Sequence, residues 1–571
     1  MFTSLPKTSE AFAVLSWSEI EPWYRELLTS PLAQETLQSW LTQWSDLSAL
    51  VDETVMLLDI ACTQNTADIE RVERKQRFME EVHAPLQVLE QQVKERLLAS
   101  GLEPEDFAIP LRNLRAETAL YREENLALLN DDTTLSDEYF QICGAQTVMW
   151  EGKEVPITTV YPVLSDPDRA RREQAWRTIA ERQMADREAL DAIWVKKMHL
   201  RQQIAHNAGY ENYRDYRWQQ LLRFDYTPAD CLALHEAVER VIVPAASQLA
   251  EKRRQQLGVE SLRPWDQYVN PRASEAPRTV SDVDGLLRQC AIAFQLIDPQ
   301  LGNYFGTMLQ EHLLDLEERP NKAPGGYNLP LEVKRRPFVF GHVNSITDIA
   351  PLIFHEAGHA FHVFETIPLP YIHQRKENAV PIEFAEVAST SMEFIGSMYL
   401  QQAGLCTEQE AALLRTQHLE SMLTGYFPGI IVGDAFQHWV YDNPEQGIDP
   451  DKCRQKWAEL SRRYQPETDW SDLEMAHSNA WQGVLHFYCV PFYMIEYAFA
   501  ALGAFQVWNN YLHNPQAAIQ QYRAALALGA TRTMPELYEA AGAKFAGDDE
   551  ILQLVLRLVS STVEQLETKV S

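Results

Sequence analysis

The sequence predicts a mainly α-helical protein with a small β-sheet, and three observations carry that reading. From about residue 9 to 205, apolar side chains recur at three- and four-residue steps amid Glu, Gln, Arg and Leu, with few glycines, which is the period of amphipathic helices. The stretch 407–470 repeats this pattern, with loops at Asp442-Asn-Pro and Asp449-Pro-Asp, and no chemistry is read there. Strand-like alternation is confined to short pieces near 146–161 and 336–344.

Taken in order, the first of these pieces runs from Gln146 to Tyr161 and reads as a hairpin around Glu151-Gly152-Lys153. Asp166-Pro-Asp168-Arg169 then opens a charged helix with a good N-terminal cap. His206 reads as a helix-end histidine, with a site residue as the alternative. Gly325-Gly326-Tyr327 reads as a glycine loop, and Arg336 to Asn344 as a short strand. At the edge of a sheet such a strand can pair with an extended peptide backbone; the alternative pairs it within its own sheet.

Bulk properties narrow the function. With 571 residues and 46% hydrophobic content, the chain can bury a large core and form more than one domain. A formal net charge of −31 argues against nucleic-acid partners, which call for a basic surface. The N-terminus has no basic segment followed by an apolar one, so no secretory signal is expected. The most apolar long stretch, 484–508, is interrupted by His486, Glu496 and Gln506 and is too broken to span a membrane. A cytoplasmic protein without membrane contact is expected. The seven cysteines, at 62, 143, 231, 290, 406, 453 and 489, form no C-x-x-C pair and read as reduced, mostly buried thiols.

The chemistry centres on Asp348 to His362, which contains His355-Glu356-Ala-Gly-His359 in a helix-compatible run. Residues four apart lie one turn above each other, so His355 and His359 present imidazoles to one point with Glu356 beside them. That point suits Zn²⁺, which in catalytic sites takes a third protein ligand and keeps one position for water. Glu356 is then the base for this water. A second helix is read from Pro381 to Phe394, where Glu383, Glu386 and Glu393 can share one face, and the third ligand is expected among them. His362 shares the ligand face at seven residues from His355; as a fourth ligand it would block the water position, so it is assigned to packing or to supporting the ligands from behind. A third histidine six residues beyond His359 would indicate the metzincin pattern, but Glu365 stands there.

The run Phe354 to His362, followed 27 residues after His359 by Glu386 in Phe-Ala-Glu-Val-Ala-Ser-Thr, resembles the M3 metallopeptidases. The nearer branch is oligoendopeptidase F, with thimet oligopeptidase more distant. Segments at 200–216 and 262–266 are similar too, so the likeness spans roughly 115 to 560. It implies one zinc per chain on His355, His359 and Glu386, supported by Glu383 and Glu393, and Asp348 also matches the family. It further implies two helical lobes around a deep substrate channel, with the small sheet next to the motif helix. An N-terminal helical lobe is expected over 1–205 and a catalytic region over 206–571.

Downstream, Trp481 to Tyr497 carries His486-Phe-Tyr488 and Phe492-Tyr493-x-x-x-Tyr497. Peptide hydrolysis needs a donor for the oxyanion, and Tyr or His supplies one. The resemblance gives this role to His486, Tyr493 and Tyr497, with Tyr488 still open. The function implied is cleavage of internal bonds in short unfolded peptides. A zinc carboxypeptidase of similar build and a non-catalytic peptide-holding zinc protein are the alternatives.

Overall fold

The computed structural model describes residues 5–273, 277–376 and 379–570. The fold is mainly helical, and its β-structure among these residues is one hairpin and one three-stranded sheet. The chain divides into two compact units, each discontinuous in sequence. The first takes 1–119, 278–407 and 503–545; the second takes 120–277, 408–502 and 546–571. Position 205, the expected end of an N-terminal lobe, falls inside the helix Arg187–Asn207 and within the second unit.

In the first unit the N-terminal helices pack around Trp40, Trp44, Leu86, Val93 and Phe107. Their boundaries follow local signals. Ser16 and Glu19 form a capping box on Trp17–Thr29, with the Ser16 amide donating to Glu19 Oε2 at 2.8 Å.

The sheet of this unit has Arg336–Phe340 at its centre, parallel to Leu314–Asp315 and antiparallel to Tyr327–Leu331. The strand read from the sequence at 336–344 is therefore paired inside its own sheet rather than at an edge. Tyr327–Leu331, directly after the glycine loop, takes an edge position. The helix His355–Glu365 packs on both of these strands, so the sheet lies next to the motif helix.

In the second unit, Thr147–Trp150 and Lys153–Pro156 form the expected hairpin. Glu151 and Gly152 turn it with φ of 50° and 79°, the two positive values of a tight turn whose twist matches its strands. Arg169–Ala185 begins at Asp168, whose side chain accepts from the Ala170 amide at 2.9 Å. The core of this unit is aromatic: Trp194, Phe436, Trp481, Phe487 and Tyr488 are buried and in mutual ring contact. No helix among the described residues is long and apolar enough to cross a membrane.

Candidate active site

The motif helix starts at a cap. Asp348 accepts from the amides of Asn344 and Ser345, each at 2.9 Å, which satisfies donors that a helix start leaves open. Ile349–Phe354 then runs with the wider π spacing into the α-helix His355–Glu365. Pro351 within it lacks an amide hydrogen, and such wide turns recur at functional sites.

The second helix, Ile382–Ser397, lies against the first at close range. A Cβ on Gly358 would stand 2.5 Å from Ala388 O and Ser389 Cα, and one on Gly396 would stand 2.5 Å from the Phe354 ring. Glycine at these two points is what lets the backbones approach. The approach brings Glu386 under the histidines.

The ligand atoms of His355, His359 and Glu386 all lie within 4.8 Å of one another. Glu386 Oε2 is 3.3 Å from His355 Nε2 and 3.6 Å from His359 Nε2. The Ser389 hydroxyl donates to the same oxygen at 2.9 Å. On the other side of the His355 ring, Nδ1 is 2.7 Å from Glu393 Oε1. Glu383 is buried in the first turn of the second helix, with the Tyr538 hydroxyl 3.5 Å from its carbonyl oxygen. Glu356 is only 8% exposed. A Cβ on Gly326 would lie 3.8 Å from its Oε1, so the glycine loop runs beside this carboxylate.

The electrostatics follow from this crowding. Burial raises the Glu386 carboxyl, but His359 and His355 outweigh it and hold it down to about 2. Burial also disfavours charge on both histidines. At His355 the bonds to Glu386 and Glu393 reverse this and carry its pKa well above the usual value, while His359 stays low, at about 4. His359 is thus a neutral imidazole at neutral pH, the form that binds metals. His362 is buried against the edge of Phe384 and stands outside the group.

The model of Peptidase family M3 matches residues 163–285 and 294–555, well over half of the sequence. The chain belongs to Peptidase family M3. Two solved structures at 25% identity are similar over nearly the whole length. One is PZ peptidase A with an inhibitor, with a TM-score of 0.87 over 96% of this chain and 97% of that one. The other, provisionally named oligoendopeptidase F, has a TM-score of 0.88 over 97% and 98%. An oligoendopeptidase F homolog of Borreliella burgdorferi is 24% identical over 245 residues. That match spans 41% of this chain and 39% of the relative's length.

In this M3 chain the remaining candidates form a cluster of their own in the second unit. The rings of His486 and Tyr493 are 5.9 Å apart, those of His486 and Tyr497 6.0 Å, and those of the two tyrosines 5.2 Å. All three side chains are partly exposed, and burial lowers the pKa of His486. Tyr488 is different: it is fully buried, stacks on Tyr139, and places its hydroxyl 3.4 Å from Leu190 O. His206 sits one residue from the end of its helix, with Nε2 3.2 Å from Glu211 O.

Sequence reasoning missed the Ser389 bond to Glu386, for which the three-residue spacing was the available signal. It also missed a second group of metal-ligating side chains: Cys231, Asp434 and His438.

Proposed function

We propose that this chain is a zinc-dependent endopeptidase that cuts internal bonds of short, unfolded oligopeptides. The observation that carries the reading is the convergence of His355, His359 and Glu386 within 4.8 Å, with Glu393 behind His355. Two imidazoles and one carboxylate are the donor set of a catalytic zinc site that keeps an open position, so the residues present fit the ion. His355, His359 and Glu386 would hold it. A zinc ion bound there supplies a Lewis acid for the peptide carbonyl and makes water more acidic.

The chain's own groups supply the rest. Glu356 takes a proton from the attacking water and returns it to the leaving amine nitrogen. Glu393 orients the His355 ring, and Glu383 and Asp348 support the two helices that carry the ligands. The phenol groups of Tyr493 and Tyr497 and the imidazole of His486 are the donors to the developing oxyanion. Tyr488, whose hydroxyl is turned to Leu190, belongs to the core. Among the described residues Tyr327–Leu331 has a single neighbouring strand in its sheet, and its other edge is suited to pairing with an extended peptide backbone irrespective of side chains.

The test uses an internally quenched peptide blocked at both ends. Cleavage that stops on chelation and returns with added zinc supports the proposal. A carboxypeptidase would cut only the version with a free C-terminus, and a peptide-holding protein would bind without cutting.

A further inference from the structure

Within the second unit, four metal-ligating side chains meet on two helices. Cys231 and His235 stand one turn apart on Pro228–Leu257, and Asp434 and His438 stand one turn apart on Phe427–Asp442. Ligand atoms of Cys231, Asp434 and His438 lie within 4.8 Å of one another. His235 Nε2 is 2.8 Å from Asp434 Oδ2. The exposures of Cys231, His235, Asp434 and His438 are 0%, 3%, 0% and 2%.

Hydrogen bonding leaves part of this cluster unsatisfied. The His438 ring is in contact with the rings of Trp218 and Phe492, yet among the described residues neither of its nitrogens has a hydrogen bond of good geometry. Its Nε2 is 3.3 Å from Asp434 Oδ2, an ion-pair contact to the oxygen that His235 also meets, and among the described residues Asp434 Oδ1 has no hydrogen-bond partner. Buried polar atoms left in this way are costly, and each such case calls for an explanation.

We propose that Cys231, Asp434 and His438 form a second metal site, distinct from the His355 group. It binds a borderline-soft divalent ion, zinc by the chemistry of its donors, and joins the helices Pro228–Leu257 and Phe427–Asp442. Thiolate, imidazole and carboxylate are all zinc ligands. Zinc–ligand distances of about 2.0–2.3 Å in tetrahedral geometry place ligand atoms about 3.3–3.8 Å apart; Asp434 Oδ2 and His438 Nε2 already stand at 3.3 Å, and the ligand atoms of the three residues all lie within 4.8 Å of one another. The charges also balance. One thiolate and one carboxylate neutralise a dication, so the filled site adds no net charge to a dry interior. His235 holds the Asp434 carboxylate in place, as hydrogen-bonded partners of ligating carboxylates do. The thiol proton is released when the ion binds.

The test is the metal content of the purified full-length chain after equilibration with zinc and gel filtration. Two zinc ions per chain are expected for the wild type, one for Cys231→Ser, one for His355→Ala and none for the double variant. Asp434→Asn, which keeps the shape of the side chain, should also hold one, and it covers the case in which Cys231→Ser does not fold. Loading with Co²⁺ identifies the sulfur ligand. A thiolate-to-cobalt charge-transfer band should appear in the wild type and in His355→Ala and be absent from Cys231→Ser. A wild type with a single zinc that vanishes in His355→Ala, or a cobalt protein without the thiolate band, overturns the proposal. Neither result bears on the peptidase reading, which rests on the other group.

Discussion

Glu393 Oε1 lies 2.7 Å from Nδ1 of His355, on the side of the ring opposite Glu386. With Nδ1–H committed to Glu393, Nε2 is left to face the metal position. Such an outer contact fixes the ring and its tautomer and typically changes affinity 10- to 100-fold. Glu393→Ala is therefore expected to weaken zinc by about 10- to 100-fold in a chelator competition, and Glu383→Ala to weaken it on the same scale. Glu386→Ala should hold no zinc at this group after dialysis. Full occupancy there in Glu386→Ala would place the third ligand elsewhere.

The aromatic cluster of the second unit separates by role. Tyr493→Phe or Tyr497→Phe should lower kcat and kcat/KM together by about 10²-fold, the scale of a lost oxyanion donor, with KM and thermal stability unchanged. Tyr488→Phe should keep kcat and lose only the bond to Leu190. His486→Ala should be impaired in part through substrate positioning. Wild-type turnover in both tyrosine variants and in His486→Ala would make the cluster ordinary packing. Tyr327 and His342 are weak substitutes, because the Tyr327 hydroxyl is bonded to Thr63 and both His342 nitrogens are bonded, to Glu318 and Ala323.

Gly358 is where the two ligand-bearing helices nearly touch. Gly358→Ala forces a methyl group to 2.5 Å from Ala388 O and Ser389 Cα, and overpacking of this kind costs about 1–3 kcal/mol. Denaturant unfolding should register that loss, together with weaker zinc binding as Glu386 is pushed away. Gly144→Ala, with nothing within 4 Å of the added carbon, is the control and should be near neutral. Equal effects at the two positions would contradict the close-packing account.

Acid sensitivity has a source in the sheet beside the motif helix. Burial raises the pKa of Asp315, but bonds from Arg319, Lys322 and Gln64 outweigh it and hold the group at about 2, against the ordinary 3.8. The stabilisation from this depressed pKa is fully present above pH 3.8 and is lost as the pH falls through about 2. Asp315→Asn should lower Tm at neutral pH and flatten the acid limb of the Tm profile between those values. A limb parallel to that of the wild type would show that the ion pairs contribute nothing.

Part of the first unit's site geometry was legible because it is written at short range. His355 and His359 are one helical turn apart, so spacing alone aims both imidazoles at one point. A third ligand was expected among the glutamates of the second helix, and only the likeness to the M3 peptidases singled out Glu386, because the close approach of the helices at Gly358 leaves no mark in the spacing. The hairpin was legible from Glu151-Gly152, and the charged helix from its Asp168 cap. Long-range pairing was not. Leu314–Asp315 is two residues long, too short to alternate visibly, and without it Arg336–Phe340 reads equally as an edge. The returns of the chain to the first unit at 278 and 503 carry no compositional mark. Cys231 with His235, and Asp434 with His438, are each an unremarkable pair in sequence, and about two hundred residues separate the two pairs until the helices meet.

The most direct test of the central claim compares wild type and Glu356→Gln at equal zinc content on a doubly blocked, internally quenched peptide. Glutamine keeps the size and hydrogen-bonding capacity of the side chain but removes its basicity. Zinc binding should be unchanged and kcat lower by at least about two orders of magnitude, the scale of a lost general base. Near-normal turnover by the zinc-loaded Glu356→Gln enzyme would contradict this role for Glu356.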